Sequence, residues 1–126
     1  MSKKVKKVLI VEDEDLIAKV LSIRLENRGY KVFIAYDGEE GLEQAKKEKP
    51  DLVLLDIGLP RIDGNTLCEL IKTDAATKGA KIIMLTGKRL VGDMENAFSA
   101  GADIYVNKPY DWARLLVHIK ALIGNP

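Results

Sequence analysis

The sequence has a single cysteine and a single histidine, and each scarcity removes a class of chemistry. Cys68 cannot form an internal disulfide, which fits a reducing cytoplasm, and within the helix-like stretch NTLCELI it reads as a small buried hydrophobe. His118, in LLVHIKALI, has no Cys, His or acid at ligand spacing and reads as a surface or rim residue. Zinc ligation and thiol or imidazole nucleophiles are therefore missing, and a hydroxyl nucleophile has no His base. Charge of one sign is also missing. A formal charge of +1 argues against a polyanion-binding surface, so no direct nucleic-acid contact is expected. The lysine-rich start, MSKKVKK, leads only into the four-residue apolar run VLIV, too short for a signal peptide or a membrane span. Repeats, linkers and low-complexity stretches are absent as well. At 126 residues the chain reads as one domain, 1–126, with no room for a catalytic domain beside a sensor or output module.

What is present is an alternation. Short apolar runs at 8–11, 32–35, 52–55, 82–85 and 104–106 are separated by helix-length segments. None of the runs alternates strictly with polar residues, as expected of parallel strands covered on both faces. Between them, Leu16, Val20, Leu21, Ile23 and Leu25 mark a first helix ending at Gly29, and Gly41, Leu42 and Ala45 a second ending before Pro50. Leu67, Leu70 and Ile71 mark a third. Met94, Ala97, Phe98 and Ala100 mark a fourth closed by Gly101, and Trp112, Leu115, Leu116, Ile119 and Leu122 a fifth closed by Gly124. Five strands and five helices fill the chain as a three-layer, doubly wound α/β domain with a parallel sheet.

Ligands of such sheets bind outside the carboxyl ends of the strands, so the residues that follow each run carry the information. The first run meets Glu12 and Asp13, the third Asp56, the fourth Thr86 and Gly87, and the fifth Asn107, Lys108 and Pro109. The second ends in Tyr36, Asp37 and Gly38, an ordinary turn that suits a strand at the edge of the sheet. Carboxylates converging from neighbouring strands raise one another's pKa unless they share a cation. With oxygen donors only, that cation is Mg²⁺ or Mn²⁺. The reactive candidate is then a carboxylate able to attack phosphorus. Lys108 would neutralise phosphoryl oxygens, Thr86 would donate a hydroxyl hydrogen bond, and Gly87 would leave space.

Taken in order, VLIVEDED, LVLLDIGLPRIDG, IIMLTG and ADIYVNKPY resemble the motifs of response-regulator receiver domains of two-component signalling, chemotaxis-regulator-like and covering essentially the whole chain. The resemblance implies a flavodoxin-like fold of strand order 2-1-3-4-5 and makes Asp56 the phosphoacceptor. It assigns Asp13 as a direct Mg²⁺ ligand, Glu12 as one acting through water, and Gly58 as the donor of a backbone carbonyl to the metal. Thr86 becomes the switch hydroxyl, Tyr105 the switch aromatic, Lys108 the phosphate-contacting lysine, and the Lys108–Pro109 bond is implied to be cis. Gly58 and Lys88 occupy positions that tune dephosphorylation in the family; a long cation at Lys88 is expected to slow water or hold the phosphoryl oxygens.

The implied partners are a sensor histidine kinase or histidine phosphotransfer protein and a downstream target. The target would be met on the surface of the fourth helix, fifth strand and fifth helix. Such a chain is not an enzyme in the ordinary sense, since it catalyses only its own phosphorylation and slow dephosphorylation. It would stand alone or be the receiver of a longer regulator. A small Mg²⁺-dependent phosphohydrolase is the competing reading, weakened by the lack of a cap and of a second acid two residues after Asp56. A flavodoxin-like or pseudo-receiver interaction module is the other, weakened by the lack of a Ser/Thr-rich phosphate loop and by the complete acid set.

Overall fold

Each apolar run becomes a strand of one parallel sheet. The structure is a computed structural model and describes residues 5–59, 61–86 and 100–125. The strands are β1 (Lys7–Val11), β2 (Lys31–Ala35), β3 (Leu52–Asp56), β4 (Lys81–Thr86) and β5 (Ile104–Asn107), in the order β2-β1-β3-β4-β5. The helices are α1 (Asp15–Glu26), α2 (Gly38–Glu48), α3 (Gly64–Thr73) and α4 (Trp112–Ile123), four among the described residues. The helix expected between β4 and β5 falls on 87–99, outside the described residues, so α4 is the fifth helix of the sequence reading.

Period-two geometry sends alternate strand residues to opposite faces, and both faces are covered. Leu9, Val11, Val53, Leu55, Ile82 and Met84 pack with Ala45 of α2 and with Leu67, Cys68 and Ile71 of α3. Val8, Ile10, Leu52, Leu54, Ile83 and Leu85 pack with Ala18, Leu21 and Leu25 of α1 and with Leu115, Leu116 and Ile119 of α4. Truncating any of these strand leucines to alanine should cost about 2–5 kcal/mol. Burial in the first of these layers also pushes the Cys68 thiol up to about 11, which makes it a packing residue with little thiolate.

Helix α1 departs from the expected stripe. Leu16, Val20 and Ile23 are exposed, while Ala18, Leu21, Ser22 and Leu25 are buried. The segment carries two apolar lines at helical spacing. The sheet takes the one containing Ala18, whose small side chain allows a close approach, and the Ser22 hydroxyl is satisfied by Glu26 Oε1 at 2.8 Å. In α3 likewise, Leu70 is exposed and Cys68 takes its place in the core.

Three helices begin at an aspartate whose carboxylate accepts a backbone N–H: Asp37 from Glu40 at 2.8 Å, Asp63 from Thr66 at 2.9 Å and Asp111 from Ala113 at 2.9 Å. Helix α1 instead starts at Glu14, which makes no side-chain cap. Two glycines are required by close approach. A Cβ at Gly38 would overlap the backbone of Ile62, and one at Gly64 would lie 2.6 Å from Ile57 Cα. The turn after β3 is thereby seated on the starts of both α2 and α3.

Candidate functional site

Parallel register brings the strand ends level. Val11 pairs with Leu55, Asp56 with Leu85 and Thr86 with Asn107, so the last residues of β3 and β4 meet the residues just beyond β1 and β5 over the carboxyl edge. Glu12, Asp13 and Asp56 each place a carboxylate oxygen within 4.8 Å of the others. Lys108 reaches back to this group, with Nζ 2.9 Å from Glu12 Oε1 and 3.6 Å from Asp56 Oδ2. Two short-range backbone bonds orient the acids: Glu14 N–H donates to Glu12 Oε2 at 3.2 Å, and Gly58 N–H to Asp56 Oδ1 at 3.2 Å. This first bond explains the start of α1, whose free amide is satisfied by the site's own acid.

The carboxylates differ in setting. Glu12 is 2% exposed, Asp56 half-buried and Asp13 exposed. Burial, the largest influence, pushes the Glu12 carboxyl above its ordinary value, and the charge of Asp56 adds to the rise while the hydrogen bond from Lys108 pulls back. Burial alone would lower the Lys108 ammonium, but the hydrogen bond to Glu12 and the charge of Asp56 outweigh it and hold it above its ordinary value. A simple ion pair would lower the acid while raising the base. Here both rise: at Glu12 burial, with the Asp56 charge added, outweighs the pull of Lys108, and at Lys108 two carboxylates acting on one ammonium outweigh burial and leave a surplus of negative charge.

Such a surplus is what a hard divalent cation relieves, and the donor set fits one: oxygens only, one of them open to solvent for retained waters. Glu12, Asp13 and Asp56 are the residues that would hold it. Gly58 lies in the exposed loop beyond, and a Cβ there would meet nothing within 4 Å. Thr86 is buried at the last position of β4, and Lys108 N–H donates to its carbonyl at 2.6 Å. Tyr105, half-buried, pairs in register with Met84 and packs on the α2–α3 layer. The Lys108–Pro109 peptide bond is cis. Lys88 and Gly87 lie outside the described residues.

Two groups escaped the sequence reading. Tyr110, its phenol pushed up by burial, borders a groove of about 390 Å³ with Ile17, Lys108 and Pro109 beside the acids. On its other side a second groove of about 390 Å³ runs between β5 and α4, lined in part by Tyr105, Asn107, Arg114 and His118. Only adjacency to Pro109 marked Tyr110. Arg61, φ 69°, reaches Asp37 from the turn after β3 and left no periodic trace in the sequence.

Comparison with known proteins gives a consistent picture. The family model of the response regulator receiver domain matches residues 8–120. The DNA-binding dual master transcriptional regulator RpaA of Synechocystis is 38% identical over 117 residues, 93% of this chain and 48% of that protein. The chain spans about half the length of the curated relatives it matches. A CheY-like response regulator receiver domain protein from Methanospirillum hungatei superposes with a TM-score of 0.89 at 36% identity, covering 94% of this chain and 93% of that one. The receiver domain of sensor histidine kinase PA1611 from Pseudomonas aeruginosa, solved with a magnesium ion in its active-site cleft, superposes with a TM-score of 0.87 at 31% identity, covering 97% of this chain and 100% of that one.

Proposed function

The chain belongs to the response regulator receiver domain family, and from that premise we propose that Asp56 accepts a phosphoryl group from a histidine kinase or histidine phosphotransfer protein. Receiver domains are the phosphoacceptors of two-component signalling and pair with histidine kinases. The observation that carries the assignment to Asp56 is its place at the end of β3, 3.6 Å from the Lys108 ammonium and grouped with Glu12 and Asp13.

In the proposed step a carboxylate oxygen of Asp56 attacks phosphorus. The O–P bond forms as the N–P bond of the donor phosphohistidine breaks, and the leaving imidazole takes its proton from solvent. Lys108 neutralises phosphoryl oxygens as a point charge and Thr86 donates its hydroxyl to them. Glu12, Asp13 and Asp56, with the Gly58 carbonyl, would hold Mg²⁺ or Mn²⁺, which when bound would supply further charge neutralisation. Water later hydrolyses the acyl phosphate, so the chain acts catalytically only on itself. Gly58 and Lys88 set that rate.

Phosphorylation then shifts the population toward a state in which Thr86 and Tyr105 have moved inward, changing the β5–α4 face for a downstream target; the fourth helix expected to share that face lies outside the described residues. We read residues 1–126 as a single receiver working in the cytoplasm; no described helix is long and apolar enough to cross a membrane. RpaA, named as DNA-binding, is about twice the matched length. The expectation of no nucleic-acid contact is therefore confined to the receiver fold itself.

Incubation with acetyl phosphate and Mg²⁺ tests the assignment. One phosphoryl group should appear by intact mass and vanish with chelator or in Asp56→Asn; labelling that survives the substitution overturns it. Repeated turnover of a model phosphate ester would favour a phosphohydrolase instead. Lys88→Ala should shorten the lifetime of the labelled form.

A further inference from the structure

The turn between β3 and α3 contains a backbone conformation that its side chain does not favour. Arg61 lies at φ 69°, in the left-handed region. Among the described residues the other non-glycine there, Lys49 at φ 49°, is the C-cap of α2, where this conformation is common. Arg61 ends no helix, and glycine would hold its conformation without strain. Such outliers persist where the surroundings over-determine them, and they gather at functional sites.

The surroundings of Arg61 are specific. Its Nε lies 3.6 Å from Oδ2 of Asp37, the N-cap of α2, and its Nη1 3.9 Å from Oε2 of Glu39 on the first turn of that helix. Asp37 is already fixed, because its carboxylate caps Glu40 N–H at 2.8 Å. Next along the chain, Ile62 is pressed onto Gly38. At the far end, Gly64 N–H donates to the Ile57 carbonyl at 3.0 Å. The turn is thus held at Ile57, Arg61 and Ile62, while Gly58 stands open between them.

We propose that Arg61 is a positioning residue for the cation site: by tying the turn to Asp37 and Glu39 it holds the Asp56–Gly58 segment facing Glu12 and Asp13. This rests on the receiver reading of the site. The pairs are solvent-exposed, with 62% of the Arg61 side chain accessible, so they contribute little to global stability. Their effect falls on local geometry, and hence on Mg²⁺ affinity rather than on unfolding.

Calorimetric titration of the full chain with Mg²⁺ at low ionic strength, beside a thermal melt of each variant, tests this. Arg61→Ala should weaken Mg²⁺ binding about tenfold with the melting temperature unchanged, and Arg61→Lys should recover part of the loss. Asp37→Asn keeps the cap but loses the charge, so it should weaken binding in the same way. The Arg61→Ala/Asp37→Asn double variant should be no weaker than the worse single variant. Arg61→Gly, which relieves the strain but removes the tie, should also bind more weakly. Wild-type affinity in Arg61→Gly and Arg61→Ala, or additive losses in the double variant, would overturn the proposal. A wild-type chain that takes up no Mg²⁺ at all would overturn the receiver reading beneath it.

Discussion

Both ends of the sheet carry aspartates next to lysines, and they use them differently. At the amino end, Asp51 accepts Lys7 N–H at 2.8 Å, and Asp103 accepts Ile82 N–H at 2.8 Å together with the Lys72 ammonium at 3.1 Å. Lys72 also donates to the Ala80 carbonyl at 2.7 Å. Each acid there is spent on tying one strand start to another segment, between residues far apart in sequence. At the carboxyl end Glu12, Asp13 and Asp56 crowd together, Lys108 is shared between two of them, and the backbone bonds given to Glu12 and Asp56 come from only two residues away. An acid that begins a strand in this fold fastens it; an acid that ends one is left with charge to use.

That contrast can be broken most sharply at its cations and anions. Replacing Lys108 with Met should lower the rate of acetyl phosphate labelling about a hundredfold, measured as initial rate by intact mass. A rate within twofold of wild type would mean that Lys108 is only a structural counter-ion. At the other end, Asp103→Ala removes a hydrogen-bond acceptor and leaves the partly buried Lys72 ammonium without its counter-ion, which should cost about 2 kcal/mol in urea unfolding. Its labelling rate should stay normal. If labelling fell instead, the two ends would not be separable.

The smallest effect is in pH dependence. The folded Glu12 carboxyl titrates above its ordinary value. Its contribution to stability is therefore present below that ordinary value and is lost as pH rises through the raised folded one. Without Mg²⁺, urea midpoints should decline across that window, and Glu12→Gln should flatten the decline. Adding Mg²⁺ should restore stability to wild type at neutral pH but do little for the variant.

Much of this arrangement is legible in the amino-acid sequence. The five strands begin and end within a residue of the apolar runs, because buried parallel strands leave continuous apolar signatures that few other elements imitate. The charges at the carboxyl edge are legible for the same reason: once the runs are placed, the residues after them must share an edge. Which line of α1 is buried is not legible, since Leu16, Val20 and Ile23 keep helical spacing as well as Ala18, Leu21 and Leu25 do; only packing against the sheet decides. Arg61 and Asp37 are hidden for a different reason. Their contact joins two turns 24 positions apart, and no periodicity records a left-handed φ.

Strand β3 is the middle strand of the sheet. It pairs with β1 on one side and β4 on the other, and Leu52, Val53, Leu54 and Leu55 have no exposed surface at all. Amide protons there should exchange with solvent only when the whole molecule opens. Asp56 therefore stands at the end of a strand with no exposed apolar residue, a fixed anvil. A phosphoryl group added to it does not move its support, and every rearrangement that reports its arrival must be made by the structure around it.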